Sequence, residues 1–252
     1  MPVHFAQTEG FPMIRTVGVQ GMLVTFADQM TEASNRATLA FRTAIEQLDL
    51  EGVIETSTSL ASAYVRFDPQ SLSHARLHDC LSTLLDARDW YAAELPVGRR
   101  FWRVPTVYGT SRAPQLAEAA DLAGMSEHQA IESLSSSRVR VLTIGFAPGQ
   151  PYLGPLGKEW NIPRQTELTP LVPAGALVLA ISQFVLFSSS TPTGWRHVGQ
   201  TGFGIFQPKA ATPFALRAGD ELQFDAVTEQ EFGRICERDP SFGGATATEI
   251  RA

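Results

Sequence analysis

Cysteine is scarce: the 252 residues hold only Cys80 and Cys236, too few for a disulfide framework. Neither lies in a C-x-x-C or His-flanked spacing that would mark a metal or redox centre. Charge is sparse as well, at 18% of residues, with 20 Lys and Arg against 26 Asp and Glu for a net charge of −6. Without a basic excess the chain is not built as a phosphate-backbone binder, so nucleic acid is not an expected partner. No run reaches the roughly 18 apolar residues that span a bilayer. The opening MPVHFAQTEGFPMIR lacks a basic segment followed by an apolar stretch, so no membrane partner is expected and the expected location is the reducing cytoplasm. Phosphate-loop, G-x-S-x-G and H-E-x-x-H signatures are absent, and Gly199, Gly202 and Gly204 are wrongly spaced for a dinucleotide fingerprint.

What is present is a substantial apolar fraction, 44%, enough for a large core or two smaller ones. Val17 to Ala27 reads as a strand, and Thr31 offers an N-cap to a helix with Ala37, Ala40, Phe41, Ala44, Ile45 and Leu48 on one face. Strands follow at Val53 to Glu55 and Ser62 to Phe67, then a turn at Asp68-Pro69 and a helix burying Leu77, Leu81, Leu84 and Leu85. The order β-α-β-β-α predicts a ferredoxin-like α+β domain over residues 1–95, completed by Phe101 to Tyr108. Two short helices between Ala113 and Ser136, the second capped by Ser126 and Gln129, read as a connector. Beyond it, short runs at Arg138 to Phe146, Ala176 to Ser182, Phe184 to Phe187, Gly204 to Gln207 and Glu221 to Val227 predict a closed or partly closed barrel within residues 96–238. The small, polar residues 239–252 are expected to fray.

Chemistry concentrates at Gly145-Phe146-Ala147-Pro148-Gly149-Gln150-Pro151-Tyr152-Leu153-Gly154-Pro155-Leu156. Such a stiff, glycine-rich loop either presents backbone N–H groups to an anion or simply connects two barrel strands. His74 and His78 stand one helical turn apart without a companion carboxylate or thiol, and read as a solvated face; Cys80 reads as a core thiol. Arg164 offers a planar fork to a carboxylate or phosphate, or else a surface salt bridge. Gln183 suits an amide or carboxylate, or else sits on a solvated strand face. Tyr152 and Trp195 either stack on a flat ligand or plug the barrel end. Lys158, Arg196 and Lys209 are expected at solvated positions.

The run GFAPGQPYLGPL, with Ile162-Pro163-Arg164, Val172-Pro173-Ala174-Gly175, Gln183 and Thr191-Pro192-Thr193-Gly194-Trp195, resembles the family of allophanate hydrolase subunit 1, KipI-like kinase inhibitors and 5-oxoprolinase subunit-B proteins. That family is similar to half of the carboxyltransferase region of urea carboxylase, and the resemblance runs from Met22-Leu23-Val24 to Arg217-Ala218-Gly219-Asp220. It implies an α+β fold, the N-terminal domain followed by a cyclophilin-like β-barrel. It also implies the subunit-B component of an ATP-dependent 5-oxoprolinase-type amidohydrolase acting on a small cyclic amide, with ATP and Mg²⁺ as cofactors. The implied partners are a subunit-C-type protein and a LamB/YcsF-type subunit; a regulatory kinase inhibitor and an allophanate or urea-derived carboxyltransferase are the other activities the family offers. On this reading Arg164 and Gln183 are catalytic, and Gly145, Phe146, Pro148, Gly149, Tyr152, Thr191, Gly194 and Trp195 bind substrate or nucleotide. Phe146, Tyr152 and Leu153 are expected to form an exposed partner surface. The chain departs from the family pattern at Ala61, Gln150, Thr169, Ile181-Ser182 and Thr193, and in carrying His197 where the family tends to be apolar.

Overall fold

A computed structural model describes residues 10–250; the first nine residues of the opening stretch and the last two of the tail lie outside them. The chain divides into two compact units, Met1–Val97 and Gly98–Ala252. The first contains β1 (Met13–Val17), β2 (Gly21–Thr25), α1 (Glu32–Gln47), β3 (Val53–Thr58), β4 (Ser62–Phe67) and α2 (His74–Asp86). Its antiparallel sheet has the order β1-β2-β4-β3. The expected strand from Val17 to Ala27 is the second arm of a hairpin, because the chain reverses between Val17 and Gly21, which pair. Thr31 caps α1 as expected, its hydroxyl accepting the Ser34 N–H at 3.1 Å. Ala37, Phe41 and Ile45 of α1 pack with Leu77 and Leu81 of α2 on Val24, Ala63, Val65 and Phe67. Leu48 and Cys80 fall short of the expected burial: Leu48 is the C-cap of α1 and exposed, and Cys80 lies at the margin of the α2 stripe, half-buried.

Phe101 to Tyr108 does not complete that sheet. It belongs to the second unit as β5 (Arg100–Tyr108), because Trp102, Val104 and Tyr108 alternate into a different core. After β5 come α3 (Leu116–Leu122), α4 (Glu127–Ser136), β6 (Val139–Ile144) and β7 (Pro151–Gly154). A 3₁₀ turn at Lys158–Trp160 leads to β8 (Thr169–Val172), β9 (Ala176–Ala180), β10 (Gln183–Leu186), β11 (Thr191–Thr193) and β12 (Arg196–Thr201). Last come β13 (Glu221–Ala226), α5 (Glu229–Arg238) and β14 (Thr246–Glu249). Strands β12-β9-β10-β7-β6-β13-β5 hydrogen-bond in order, and β5 pairs back onto β12, closing a seven-stranded barrel. β8 and β11 form a separate ribbon.

Every barrel strand contributes to one apolar cluster, including Val104, Val141, Leu153, Leu177, Leu179, Phe184, Val198, Leu222 and Phe224. A cluster fed by all seven strands of a ring is the barrel interior, and it is solid. The helices α3 and α4 are more than a connector: Leu116, Ala119, Ala130 and Leu134 join this same core. The capping box of α4 is present, with Gln129 N–H on Ser126 Oγ at 3.3 Å and Ser126 N–H on Gln129 Oε1 at 3.0 Å. Gly204 to Gln207 is not a strand; only a bridge from Phe206 to Phe214 forms there. The tail expected to fray instead supplies β14, paired with Arg100 to Arg103 of β5. Its side chains are exposed, but main-chain pairing to an open edge needs no apolar side chain.

Asp220, 1% exposed, ties β13 to β5. It accepts the Arg100 N–H at 2.8 Å, Arg100 Nη2 at 2.6 Å and the Arg217 N–H at 3.1 Å. Asp220→Ala leaves two amide donors and a partly exposed guanidinium without their acceptor, and is expected to cost about 3 kcal/mol. Urea denaturation should show a lower midpoint with an unchanged slope. A loss below about 1 kcal/mol would show that water replaces these bonds.

Candidate functional site

Because the interior is filled, the alternate residues of β7, β10, β9 and β12 carry whatever the barrel offers a ligand, and the register arranges them. Tyr152, Val185, Val178 and His197 lie in one row across the four strands. Gln183 and Ala180 lie in the next row, beside Trp195, which immediately precedes β12. Val178, Ala180, Val185, Phe187 and Trp195 form a second apolar cluster with Val172 of the ribbon, and half-buried Tyr152 packs on it. The rings of Tyr152 and Trp195 meet edge to face with centroids 6.2 Å apart. They stand on the outer wall of the barrel and do not plug its end.

Around Gln183 the backbone is held tightly. Ile181 and Ser182 make the two-residue turn of the β9–β10 hairpin, both at positive φ, 45° and 56°, the conformation a primed turn demands and a β-branched residue resists. Two bonds hold it there: the Ile181 N–H donates to Ile162 O at 2.8 Å and the Ser182 N–H to Trp160 O at 2.9 Å. Trp160 is buried and its indole N–H donates to Ser133 Oγ at 3.0 Å, anchoring the segment that ends at Arg164. Arg164 therefore emerges at the Gln183 end, with Nη2 3.5 Å from where a Cβ on Gly194 would sit. It lines a cleft of about 300 Å³ with Glu118, Gln165, Glu167 and Arg196.

The structure thus gathers Arg164, Gln183, Gly194, Trp195 and Tyr152, with Thr191 on the adjoining ribbon opposite Val172. It does not bring the 145–150 loop to Arg164. That loop closes by the Gly145 N–H on Gln150 O at 3.0 Å. A Cβ on Gly149, whose φ is +72°, would lie 3.3 Å from Phe206 Cβ and 3.4 Å from Ile205 O, beyond the far end of β12. From Gln150 to Gly154, beside Gln183, the strand rises about 13 Å, too far for one small anion to touch both. Gly145, Phe146, Pro148 and Gly149 are therefore a separate loop region, in which Phe146 is 85% exposed at φ +71°. The exposed partner surface expected at Phe146, Tyr152 and Leu153 reduces to Phe146, since Leu153 is in the barrel core and Tyr152 packs on the outer wall.

Several polar residues carry more structure than their sequence context shows. Arg196 is buried and not solvated: Nε meets Glu118 Oε1 at 2.9 Å and Nη1 donates to Pro163 O at 2.6 Å. Gln115 brackets His197, its Oε1 accepting the His197 N–H at 2.8 Å and its own N–H reaching His197 O at 3.1 Å. Gln115 Nε2 also donates to Gln165 Oε1 at 2.7 Å, and Gln165 Nε2 to Trp195 O at 3.1 Å. Thr169, where the family pattern carries an arginine, accepts from Gln165 and Gln115 at 3.3 Å. His197, Gln200 and Gln150 are 4%, 8% and 1% exposed, and His197 Nε2, Gln200 Oε1 and Gln150 Oε1 have no hydrogen-bond partner among the described residues. For His197 and Gln200 the available signal is the period-2 alternation along β12, and a bulge between His197 and Gly199 breaks it.

Among the described residues no three His, Cys, Asp or Glu side chains come together in a metal-binding cluster, and the cleft is lined by Arg164 and Arg196 together with Glu118 and Glu167. No helix among them is long and apolar enough to cross a membrane.

An α+β unit followed by a closed barrel with a polar-edged apolar outer wall defines a carboxyltransferase-type fold. The model for the carboxyltransferase domain, subdomain C and D, matches residues 12–216, and the chain belongs to that family. It is 33% identical over 210 residues to the 5-oxoprolinase subunit-B protein of Escherichia coli O157:H7, covering 82% of this chain and 93% of that protein. To the 5-oxoprolinase subunit-B protein of Bacillus subtilis it is 29% identical over 227 residues, 87% and 94% of the two chains. The crystal structure of TTHA0988 superposes with a TM-score of 0.70 at 28% identity, covering 86% of this chain, which spans only 40% of that one. Kluyveromyces lactis urea carboxylase shares the fold, with a TM-score of 0.72 at 17% identity over 94% of this chain and 24% of its own.

Burial pushes the His197 imidazole below its ordinary value, partly opposed by bonds to the Gly199 backbone and Gln200. The unfolded chain therefore takes the proton first as pH falls. Stability from this group is full above about pH 6.5 and declines as pH drops through and below that value. His197→Leu should shrink the stability loss between about pH 7.5 and about pH 5 measured by denaturant titration. An identical loss in both proteins would mean that the imidazole is solvated.

Proposed function

We propose that this chain is the subunit-B component of an ATP-dependent 5-oxoprolinase-type amidohydrolase, acting on a small cyclic amide within a heteromeric complex. The observation that carries the reading is the similarity to the 5-oxoprolinase subunit-B proteins of two organisms over nine-tenths of those proteins' length. We read the first unit as ferredoxin-like and the barrel as cyclophilin-like, and assign the protein to the cytoplasm on its cysteine content.

The site supports a binding role for this chain. A lactam offers a C=O and an N–H side by side, and the Gln183 amide offers the complementary pair. A ring carboxylate would reach Arg164 at the same end, where a guanidinium fork suits it. Tyr152 and Trp195 wall the floor between the strands and exclude water from the ring.

Among the described residues of this wall no acid–base pair is poised for hydrolysis, and no cluster of three metal-binding side chains lies near it. The reading therefore assigns ATP, Mg²⁺ and the hydrolytic step to the assembly with a subunit-C-type protein and a LamB/YcsF-type subunit. Turnover of ATP by the copurified complex should rise with 5-oxoproline and not with allophanate, while the isolated chain stays inactive. Stimulation by allophanate would assign it to the urea-derived branch of the family. Stable capture of a sensor kinase without turnover would make it a regulator.

Arg164→Ala in that complex should raise KM for 5-oxoproline by about 10- to 100-fold, because a charged hydrogen bond to the carboxylate is lost. The exposed side chain supports little of the core, so the melting temperature should hold. An unchanged KM with a lowered melting temperature would make Arg164 structural.

A further inference from the structure

The cleft of about 300 Å³ at the Arg164 end carries charges of both signs, and short hydrogen bonds hold its walls together. The Gln165 N–H donates to Gly194 O at 2.7 Å, and Gln165 Nε2 to Trp195 O at 3.1 Å. Arg196 Nη1 donates to Pro163 O at 2.6 Å, while its Nε meets Glu118 Oε1 of α3 at 2.9 Å. The start of β12, the 163–165 segment and α3 are thereby fixed to one another before anything binds, which spares a ligand the cost of ordering them.

Inside that frame the charges do not all satisfy one another. Arg196 is only 6% exposed; with Nε and Nη1 committed, Nη2 bonds to no described residue and is the donor left for the cleft that Arg196 lines. Arg164 and Glu167 line the same cleft from exposed positions, and neither makes a hydrogen bond or ion pair among the described residues. The cleft thus presents guanidinium donors from Arg164 and Arg196, and in Glu167 a carboxylate with no cation of its own. A simple anion would suit the arginines but meet Glu118 and Glu167 as like charges, and a simple cation would meet the arginines in the same way. A ligand that carries both signs a short distance apart meets neither penalty.

We propose that this cleft binds a free α-amino acid, its carboxylate between Arg164 and Arg196 Nη2 and its ammonium on Glu167. Such a ligand is what a cyclic amide bearing a carboxylate beside its nitrogen becomes on hydrolysis. The C–N bond breaks, water gives its hydroxyl to the acyl carbon and a proton to the nitrogen, and the freed amine takes up a further proton at neutral pH. Arg164 then keeps the carboxylate it holds in the lactam, while Glu167 takes the charge that only the opened form carries. This deepens the amidohydrolase reading and rests on it for the ligand's place in a reaction, whereas the ligand class rests on the cleft.

The test is calorimetric titration of the full-length chain at neutral pH with L-glutamate, with N-acetyl-L-glutamate, which lacks the ammonium, and with isoglutamine, whose α-carboxylate is a neutral amide. L-glutamate should bind tighter than either by about tenfold or more, because each analogue loses one charged contact. Glu167→Gln should weaken L-glutamate by about tenfold or more and leave N-acetyl-L-glutamate unweakened, while Arg164→Ala should weaken both. Both side chains are exposed, and the comparison of the three ligands needs no variant. Equal binding of L-glutamate and its N-acetyl derivative, binding unchanged in both variants, or no binding overturns the proposal. The two readings fail separately: L-glutamate held through Glu167 by a complex that does not hydrolyse 5-oxoproline keeps the site and removes the reaction. Hydrolysis inhibited equally by L-glutamate in the wild type and in Glu167→Gln keeps the reaction and removes the site.

Discussion

Closure of the barrel through β12 and β5 is the constraint on which the second unit depends. Gly199 pairs with Tyr108 at the seam, and a Cβ there would lie 2.9 Å from Thr106 Cγ2, so the strands approach only because that side chain is missing. Once the ring is shut, apolar side chains of all seven strands fill its interior. Ligand chemistry is then confined to the outer wall and the strand ends, where the packing of Tyr152 and Trp195, the Gln183 position and the β12 bulge all lie.

The same closure orders the site along the strands. Arg164 and Gln183 are delivered to one end by the buried Trp160 and the bonds that clamp the Ile181–Ser182 turn. The 145–150 loop is delivered to the other end. Two features that look like one anion cradle in the linear sequence are held apart by the length of β7, and the groups left between them are neutral. On the proposed function, the guanidinium at the Arg164 end would meet a ring carboxylate.

Much of the first unit was legible because its signals are local: Thr31 before an amphipathic helix, and alternation in Ser62 to Phe67. Phe101 to Tyr108 reads locally as part of the first unit because its partners β12, β13 and β14 lie far along the chain, and long-range pairing leaves no local trace. β12 was missed for a related reason, since Arg-His-Val-Gly-Gln-Thr is polar, buried throughout and broken by a bulge. β14 was missed because main-chain bonds alone hold it. Of the site, Arg164, Gln183, Tyr152 and Trp195 could be singled out by residue type and resemblance. Arg196 reads as solvated, His197 as a departure from the family pattern and Gln200 as nothing in particular, because what sets them apart is burial and partners across the sheet.

On the proposed function, the outer wall of the barrel, and not its interior or the 145–150 loop, receives the ligand. A crystal structure of the chain with 5-oxoproline tests it most directly. Density for the ring is expected beside Tyr152 and Trp195, within hydrogen-bond distance of Gln183 and with the carboxylate toward Arg164. A ring bound among Phe146, Phe206 and Phe214 at the loop end, with the Gln183 end bare, would overturn that reading.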